Sequence, residues 1–250
     1  MKFITIDKND WDQGVTASKK SYRLFGPVED KNGLIIKELN ENQMPVMDGR
    51  DTVMSVKSVI FPQTEKMFHS SLDEADEDHH ILKRAQTDDT PRAVIGIRPY
   101  DAKAVELVKL NFITEDYVDP YWKDAYEATC FVGLAVTQPG PCDFSTSVGT
   151  GPFSEEGLDI LLADMDDHFL AKVLTDKGQA WADACGFANE SDPKEGQSLL
   201  DVLRKEAEKN IGSTIDTSRL KDQTILDLYS AEFWDDVAFS CINCGTCTYV

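Results

Sequence analysis

The sequence lacks any long apolar run, and no stretch approaches the roughly 20 residues that a membrane-spanning helix needs. The N-terminal segment reaches an acidic residue at Asp7 and contains no apolar region of the secretory kind. A protein without a secretory segment stays in a reducing compartment, where its cysteines remain thiols or bind metal. We therefore expect a cytoplasmic protein with no membrane insertion.

Basic residues are also scarce. The chain has 25 Lys and Arg residues against 45 Asp and Glu residues, which gives a formal net charge of −20. A nucleic-acid-binding protein needs a basic stripe that can follow a phosphate backbone, and this sequence contains no such stripe. The composition therefore argues against a nucleic-acid partner and favours basic partners or a strongly hydrated surface.

Cysteine is sparse until the end of the chain, where Cys241, Cys244 and Cys247 form a C-x2-C-x2-C run. Two residues between thiolates let a tight turn aim successive sulfurs at adjacent irons of one cluster, and Gly245 adds conformational freedom to that turn. In bacterial ferredoxins this run continues to a fourth cysteine, which we expect beyond Val250. The run predicts the start of a ferredoxin-like [4Fe–4S] region whose ligand set is incomplete in this sequence.

Two other interpretations of the cysteine run are weaker. Structural zinc takes four ligands, usually as separated pairs, whereas this run supplies three close thiolates. Three buried cysteines in a helix would need a regular apolar stripe, and the intervening Asn243 and Gly245 are poor helix formers.

The centre of the chain alternates between strand and helix patterns. Residues 93–97 form a short apolar run that leads through Arg98 to Asp101, a good cap for an amphipathic helix over residues 102–110. A second apolar run follows at residues 129–136. This order is typical of an α/β crossover, so we predict an α/β (α+β) fold with a mixed sheet and flanking helices.

The remaining patterns give a provisional domain plan. Asp10 is a candidate cap for a helix over residues 11–20, and strands are predicted at 22–25 and 33–37. Residues 158–163 and 169–174 should form a hairpin. A helix capped by Thr175 should follow this hairpin. The predicted segments are a small N-terminal α/β lobe (1–60), a main α/β domain (61–190), a helical segment (191–240) and the start of the ferredoxin-like region (241–250).

A second candidate site lies where the two central strands end. Ligands of open α/β sheets bind at the carboxyl ends of the strands. The polar residues expected there are Arg98, Asp101, Thr137, Cys142, Asp143, Ser145 and Ser147. The loop over residues 137–152 is rich in glycine and hydroxyl groups that could hold an anionic group, although it is not a dinucleotide-binding fingerprint.

Several segments in the same order resemble the beta (iron–sulfur) subunits of the sulfhydrogenase and anaerobic sulfite reductase type, a family with a [4Fe–4S] dicluster region. The matching segments are residues 61–65, 96–104, 119–121, 132–152 and 232–250. The resemblance implies an electron-transfer subunit that relays electrons between a hydrogenase or reductase catalytic subunit and a flavin or iron–sulfur partner. It also implies that the flavin is carried by a partner subunit.

The chain departs from that family at four positions where the family carries cysteine, which are Tyr100, Val136, Asp143 and Ser145. We therefore expect no iron–sulfur cluster in this loop, because these side chains offer no soft thiolate ligand. Two alternatives follow: a non-redox docking or assembly subunit that has lost its cluster ligands, and a small-molecule enzyme or flavin-binding domain that uses residues 137–152. Cys130 and Cys185, in apolar surroundings, are expected to be buried packing residues.

Overall fold

The computed structural model describes residues 2–85, 89–221, 223–229 and 232–245. The chain divides into two units, one that ends at Ser213 and one that begins at Thr214. The first unit holds the sheet and its flanking helices, and the described residues of the second hold three short helices and the start of the cysteine run.

Ten strands lie in the described residues of the first unit. They are β1 (Lys2–Asp7), β2 (Arg23–Asp30), β3 (Gly33–Glu38), β4 (Phe68–His69), β5 (Lys83–Arg84), β6 (Arg92–Ile97), β7 (Thr129–Leu134), β8 (Ile160–Asp164), β9 (His168–Val173) and β10 (Glu190–Ser191). Eight of them form one sheet in the order β10-β1-β9-β8-β7-β6-β2-β3, while β4 and β5 form a separate pair. The neighbours β2, β6, β7 and β8 run parallel and the other pairs are antiparallel. This mixed sheet confirms the predicted fold class.

Helices cover both faces of the sheet. They are α1 (Lys8–Ser18), α2 (Pro99–Phe112), α3 (Pro120–Glu127), α4 (Asp176–Cys185) and α5 (Pro193–Lys209) in the first unit, and α6 (Ser218–Lys221), α7 (Ile225–Tyr229) and α8 (Phe233–Phe239) in the second. Short 3-10 turns occur at Val56–Val59 and Ser145–Val148.

The alternating side chains of the strands build two separate cores. On one face, Trp11 of α1 and Trp181 of α4 pack against inward residues such as Ile95 and Val132. On the other face, α2, α3 and α5 contribute the buried residues Ala102, Val105, Trp122, Leu200 and Ala207. Because both faces are covered, β6 and β7 consist almost entirely of buried residues, which explains their continuous apolar runs.

A glycine bulge ends β6. Gly96 has φ of 78°, and the register with β7 shifts between Ile95 and Ile97. A Cβ at Gly96 would lie 3.3 Å from the ring of Pro27 in the neighbouring strand, so glycine suits both the conformation and the space. The bulge directs the chain from the sheet into Arg98 and the first turn of α2.

Several predicted helix starts were wrong by a few residues. Helix α1 begins at Lys8 with Asp7 as its cap, so Asp10 lies inside the helix. Helix α2 begins at Pro99 after Arg98, so Asp101 lies in the first turn instead of capping it. In both cases the helix follows the strand with at most one residue between them. In α2, proline is well suited to the first helical position.

Other local predictions were confirmed. Strands β8 and β9 form the expected antiparallel hairpin. The Thr175 hydroxyl accepts a hydrogen bond from the Gly178 amide at the start of α4, and Gly186 ends that helix at φ of 78°.

The structure assigns segments differently from the provisional domain plan. Residues 1–60 contribute β1, β2 and β3 to the same sheet as β6 to β9. The segment 191–213, with α5, belongs to the first unit. No helix in the described ranges is both long and apolar enough to cross a membrane.

Candidate functional site

A cavity of about 610 Å³ lies where β6 and β7 end. Its walls come from three parts of the chain: residues 51–55, the first turn of α2, and residues 140–145 and Val148 of the loop after β7. Its lining includes the predicted residues Asp101, Cys142, Asp143 and Ser145. The carboxyl ends of parallel strands are the usual position for ligand sites in α/β sheets, so this cavity is the candidate site of the first unit.

The other predicted loop residues lie elsewhere. Thr137 lines a second cavity of about 380 Å³, together with Asp164 and Asp166 at the end of β8. Arg98 and Ser147 are not among the residues that line the larger cavity. The structure therefore brings together four of the seven loop residues that the sequence suggested.

Arg98 contacts the 50–51 segment, which forms part of the cavity wall, although it does not line the cavity itself. The side chain is 5% exposed, and its Nη2 donates a hydrogen bond of 2.6 Å to the carbonyl oxygen of Arg50. Its Nε lies 3.7 Å from Oδ1 of Asp51. Arg98 thus holds the 50–51 segment against the end of β6 and places a positive charge beside the Asp51 carboxylate.

Tyr100 and Asp51 form a hydrogen-bonded pair in the cavity wall. The Tyr100 hydroxyl donates to Oδ1 of Asp51 at 2.5 Å. Burial, followed by the hydrogen bond to Asp51, raises the pKa of Tyr100. The phenol therefore stays protonated near neutral pH and acts as a fixed hydrogen-bond donor.

Asp101 lines the cavity and has a perturbed carboxyl group. Burial, followed by the negative charge of Asp51, raises the pKa of Asp101 to about 6, and the cations Arg98 and Lys57 oppose this rise. A carboxyl group with a pKa in this range can exchange a proton near neutral pH, which is a common property of functional sites.

The loop after β7 is held by its own hydrogen bonds. Oδ1 of Asp143 accepts a hydrogen bond of 2.8 Å from the amide of Ser145, and the 3-10 turn that follows ends at Gly149 with φ of 76°. Ser145 is 6% exposed, and its Oγ atom has no hydrogen-bond partner among the described residues. Cys142, next to Asp143 in this loop, is exposed.

Sequence reasoning missed residues 51–55 as part of the site. They follow β3 in an irregular segment without a recognisable motif, and Asp51 reaches Tyr100 across 49 positions of the chain. Asp51 and Tyr100 lie too far apart in the sequence to form a motif with a recognisable spacing. Only the fold brings them together.

The first two cysteines of the C-terminal run follow α8. Cys241 and Cys244 are exposed, whereas Cys247 lies outside the described residues. The amide of Asn243 donates a hydrogen bond to Sγ of Cys241 at 3.4 Å, and Asn243 and Gly245 have φ of 53° and 73°. Two residues of the described part of the run thus have a left-handed backbone conformation.

Comparison with known proteins gives no relative. Scans of family models, of curated proteins and of solved structures all found no match. Functional assignment therefore depends on the residues themselves.

The two internal cysteines are packing residues, as predicted. Cys130 is 2% exposed in β7 and its thiol donates to the carbonyl of Lys177 at 3.7 Å. Burial raises the pKa of Cys130, and burial raises the pKa of Cys185 to about 12. Both side chains therefore stay as neutral thiols at physiological pH.

No group of three or more His, Cys, Asp or Glu residues that could hold a metal was found within the described ranges.

Proposed function

We propose that this chain is an electron-transfer iron–sulfur subunit, with Cys241, Cys244 and Cys247 as ligands of a [4Fe–4S] cluster. It would relay electrons between a hydrogenase or reductase catalytic subunit and a flavin or iron–sulfur partner, with the flavin held by the partner. We also propose a cytoplasmic location, because exposed thiols persist in a reducing compartment.

The observation that carries the proposal is the hydrogen bond to Cys241. The Asn243 amide donates to the Cys241 sulfur, and both Cys241 and Cys244 are exposed. Hydrogen bonds of this kind to the ligand sulfurs are one of the factors that set the reduction potential of a cluster.

The backbone between the cysteines supports a shared ligand site. Asn243 and Gly245 have positive φ. This conformation is unusual for Asn and is best tolerated by Gly, which limits the alternatives at these positions. Thiolates at the C-x2-C spacing would favour soft metals such as the iron of clusters.

Anaerobic reconstitution tests the proposal. The purified protein is incubated with ferrous iron, sulfide and a small-molecule thiol that can complete the fourth iron, and iron and sulfide are then measured per chain. We expect iron and sulfide in near-equal amounts and a paramagnetic signal after reduction.

Matched variants identify the ligands. Cys244→Ser should abolish cluster formation, whereas Cys142→Ser, which changes an exposed cysteine of the first unit, should leave it unchanged. Equal iron loss in the two variants would contradict the proposal. Binding of zinc without iron or sulfide would also contradict it and assign the run to a structural metal.

A docking role is the second candidate. Helix α2 has Leu107 and Leu110 exposed to 54% and 66%, and an apolar surface of this kind is typical of a contact with another protein. The cluster ligands would then be dispensable for assembly. Two results together would favour the docking role. The protein with all three cysteines changed to serine would still associate with a catalytic subunit, and the unmodified protein would show no electron transfer.

A further inference from the structure

We propose that the exposed apolar side chains of α7 and α8 bind an amphipathic helix of a partner protein, one whose apolar stripe is flanked by lysine and arginine. This surface precedes the cysteine run, but its role does not require a cluster there. The exposure of the surface, its aromatic residues and its one-sided charge support the proposal.

Several large apolar side chains of α7 and α8 lie in solvent. No residue of α8 is buried. Six side chains of the two helices are 48–93% exposed, and they define the α7–α8 surface: Leu226, Tyr229, Phe233, Trp234, Val237 and Phe239. An exposed apolar surface of this kind typically marks an interaction site.

Local geometry groups the aromatic residues of this surface. Phe233, Trp234 and Val237 have the i, i+1, i+4 spacing of one side of a helix. The rings of Phe233 and Trp234 are in edge contact, with centroids 5.1 Å apart, and Nε1 of Trp234 donates a hydrogen bond to the carbonyl oxygen of Leu228. This hydrogen bond connects α8 to the end of α7, so one partner can contact both helices.

The charge around the surface has a single sign. Residues 222–250 contain five acidic residues and no lysine, arginine or histidine. Asp227 of α7 and Asp235 and Asp236 of α8 place carboxylates beside the apolar side chains. A partner with lysine and arginine next to its apolar stripe complements these charges. The faces of the aromatic rings attract the same cations.

Charge also distinguishes the possible occupants. A second copy of the chain would bring five further carboxylates against the first five, and an anionic lipid surface would repel them as well. A basic amphipathic helix matches both the apolar and the charged parts of the surface. Helices of this kind bind apolar surfaces through residues at i, i+3, i+4 and i+7.

Trp234 reports whether the surface is covered. The other three tryptophans, Trp11, Trp122 and Trp181, are at most 3% exposed, whereas Trp234 is 49% exposed. Acrylamide quenching of the full chain therefore measures the accessibility of Trp234. In the free protein, shown to be monomeric by sedimentation, we expect Trp234 to be quenched readily.

Three synthetic helical peptides of equal length serve as probes. The first carries a leucine stripe flanked by lysine, the second carries the same stripe flanked by glutamate, and the third keeps the lysines but has serine in place of leucine. We expect the leucine–lysine peptide to protect Trp234 from acrylamide. It should bind at least roughly tenfold more tightly than either of the others.

Charge variants separate this surface from the general attraction of a basic peptide to an acidic protein. The double change Asp235→Asn and Asp236→Asn should weaken binding of the leucine–lysine peptide roughly three- to tenfold. Glu115→Gln with Asp116→Asn is the matched control, because it removes the same charge at exposed positions between α2 and α3. This control should leave binding unchanged.

An apolar variant that keeps every charge gives a second test. Phe233→Ala should weaken binding of the leucine–lysine peptide by roughly tenfold, and alanine preserves the helix. Leu107→Ala, at an exposed position of α2, should have no effect. Cys244→Ser should bind the peptide like the unmodified protein, so this proposal and the cluster proposal can fail separately.

Four results would overturn the proposal. The first is equal binding of the three peptides or none, and the second is equal weakening by the two charge variants. Protection of Trp234 in the free protein would show that the surface is already covered, within the chain if the protein is monomeric and by a second copy if protection grows with concentration. Protection by phosphatidylcholine vesicles would assign the surface to a lipid.

Discussion

The Tyr100 hydroxyl donates a hydrogen bond of 2.5 Å to Asp51, which connects the first turn of α2 to the segment that follows β3. Arg98 reinforces the same connection through the carbonyl of Arg50. These contacts close one side of the cavity.

Tyr100→Phe should destabilise the first unit by about 1 kcal/mol, because it removes one hydrogen bond to an exposed carboxylate and leaves the ring in place. Urea unfolding followed by circular dichroism measures the change. Tyr117→Phe is the control, since Tyr117 is 58% exposed and its loss of a hydroxyl should change the free energy of unfolding by less than about 0.5 kcal/mol. An unchanged stability of Tyr100→Phe would show that the pair does not hold the wall.

Asp101 should make the first unit less stable as the pH rises through the range from about 4 to about 6. Its folded pKa of about 6 lies above the ordinary value of 3.8, so the folded state binds the extra proton in this interval. Stability falls with rising pH wherever the folded state holds more protons than the unfolded state. The expected loss is about 3 kcal/mol.

The pH dependence is measured as the difference in unfolding free energy between the unmodified protein and Asp101→Asn. That difference should shift in favour of Asp101→Asn as the pH rises, and then stay constant above about pH 7. Asp166→Asn should show no such shift. A carboxyl carbon titration by nuclear magnetic resonance reports the pKa of Asp101 directly, and an ordinary value would refute the prediction.

Local signals in the sequence predicted much of the sheet. The apolar runs of β6 and β7 and the β8–β9 hairpin were recognisable because burial on both faces leaves a continuous pattern. The first strand, β1, was missed, although Phe3, Ile4 and Ile6 are buried in it. It is short and continues directly into α1, so no turn residue marks where it ends.

The site was only partly predictable for a similar reason. Asp101, Cys142, Asp143 and Ser145 follow strand ends, which a general rule for α/β sheets identifies. Asp51 belongs to an irregular segment whose position depends on Arg98 and Tyr100, and such long-range contacts leave no periodic trace in a single sequence.

Asp159 should be among the most sensitive positions of the sheet. Its buried carboxylate accepts hydrogen bonds from the Phe131 amide at 2.8 Å and the Thr175 hydroxyl at 2.5 Å, and it lies 3.7 Å from Nζ of Lys177. It thus connects β7, the start of β8 and the cap of α4. Asp159→Ala should cost about 3 kcal/mol, because it leaves a buried amide and a hydroxyl without their acceptor.

Asp159→Asn is the informative comparison, since its amide oxygen can still accept from Phe131. We expect it to recover roughly half of the loss, measured by urea unfolding. Equal stability of the alanine and asparagine variants would mean that the charge matters and the hydrogen bonds do not. Thr175→Val, which also removes the cap of α4, should cost about 1 kcal/mol.

Lys172 should be easier to remove than its partner Glu155. The Lys172 side chain is 4% exposed and donates to Glu155 at 2.6 Å and to Gln197 at 2.7 Å, whereas Glu155 is 37% exposed. Glu155→Gln leaves a buried ammonium without its counter-charge, and we expect a loss of about 2 kcal/mol. Lys172→Met replaces the buried charge with an apolar chain of similar length and leaves Glu155 accessible to water, so its cost should stay below about 1 kcal/mol.

A double-variant cycle separates these effects. Once Lys172 is methionine, adding Glu155→Gln should change the free energy of unfolding by less than about 0.5 kcal/mol, because no buried charge remains to be compensated. The exposed pair Lys103 and Glu156 serves as the control, since Lys103→Met should cost less than about 1 kcal/mol with or without Glu156→Gln. If Lys172→Met proved more costly than Glu155→Gln, the buried ion pair would be a net source of stability and the reasoning from desolvation would be wrong.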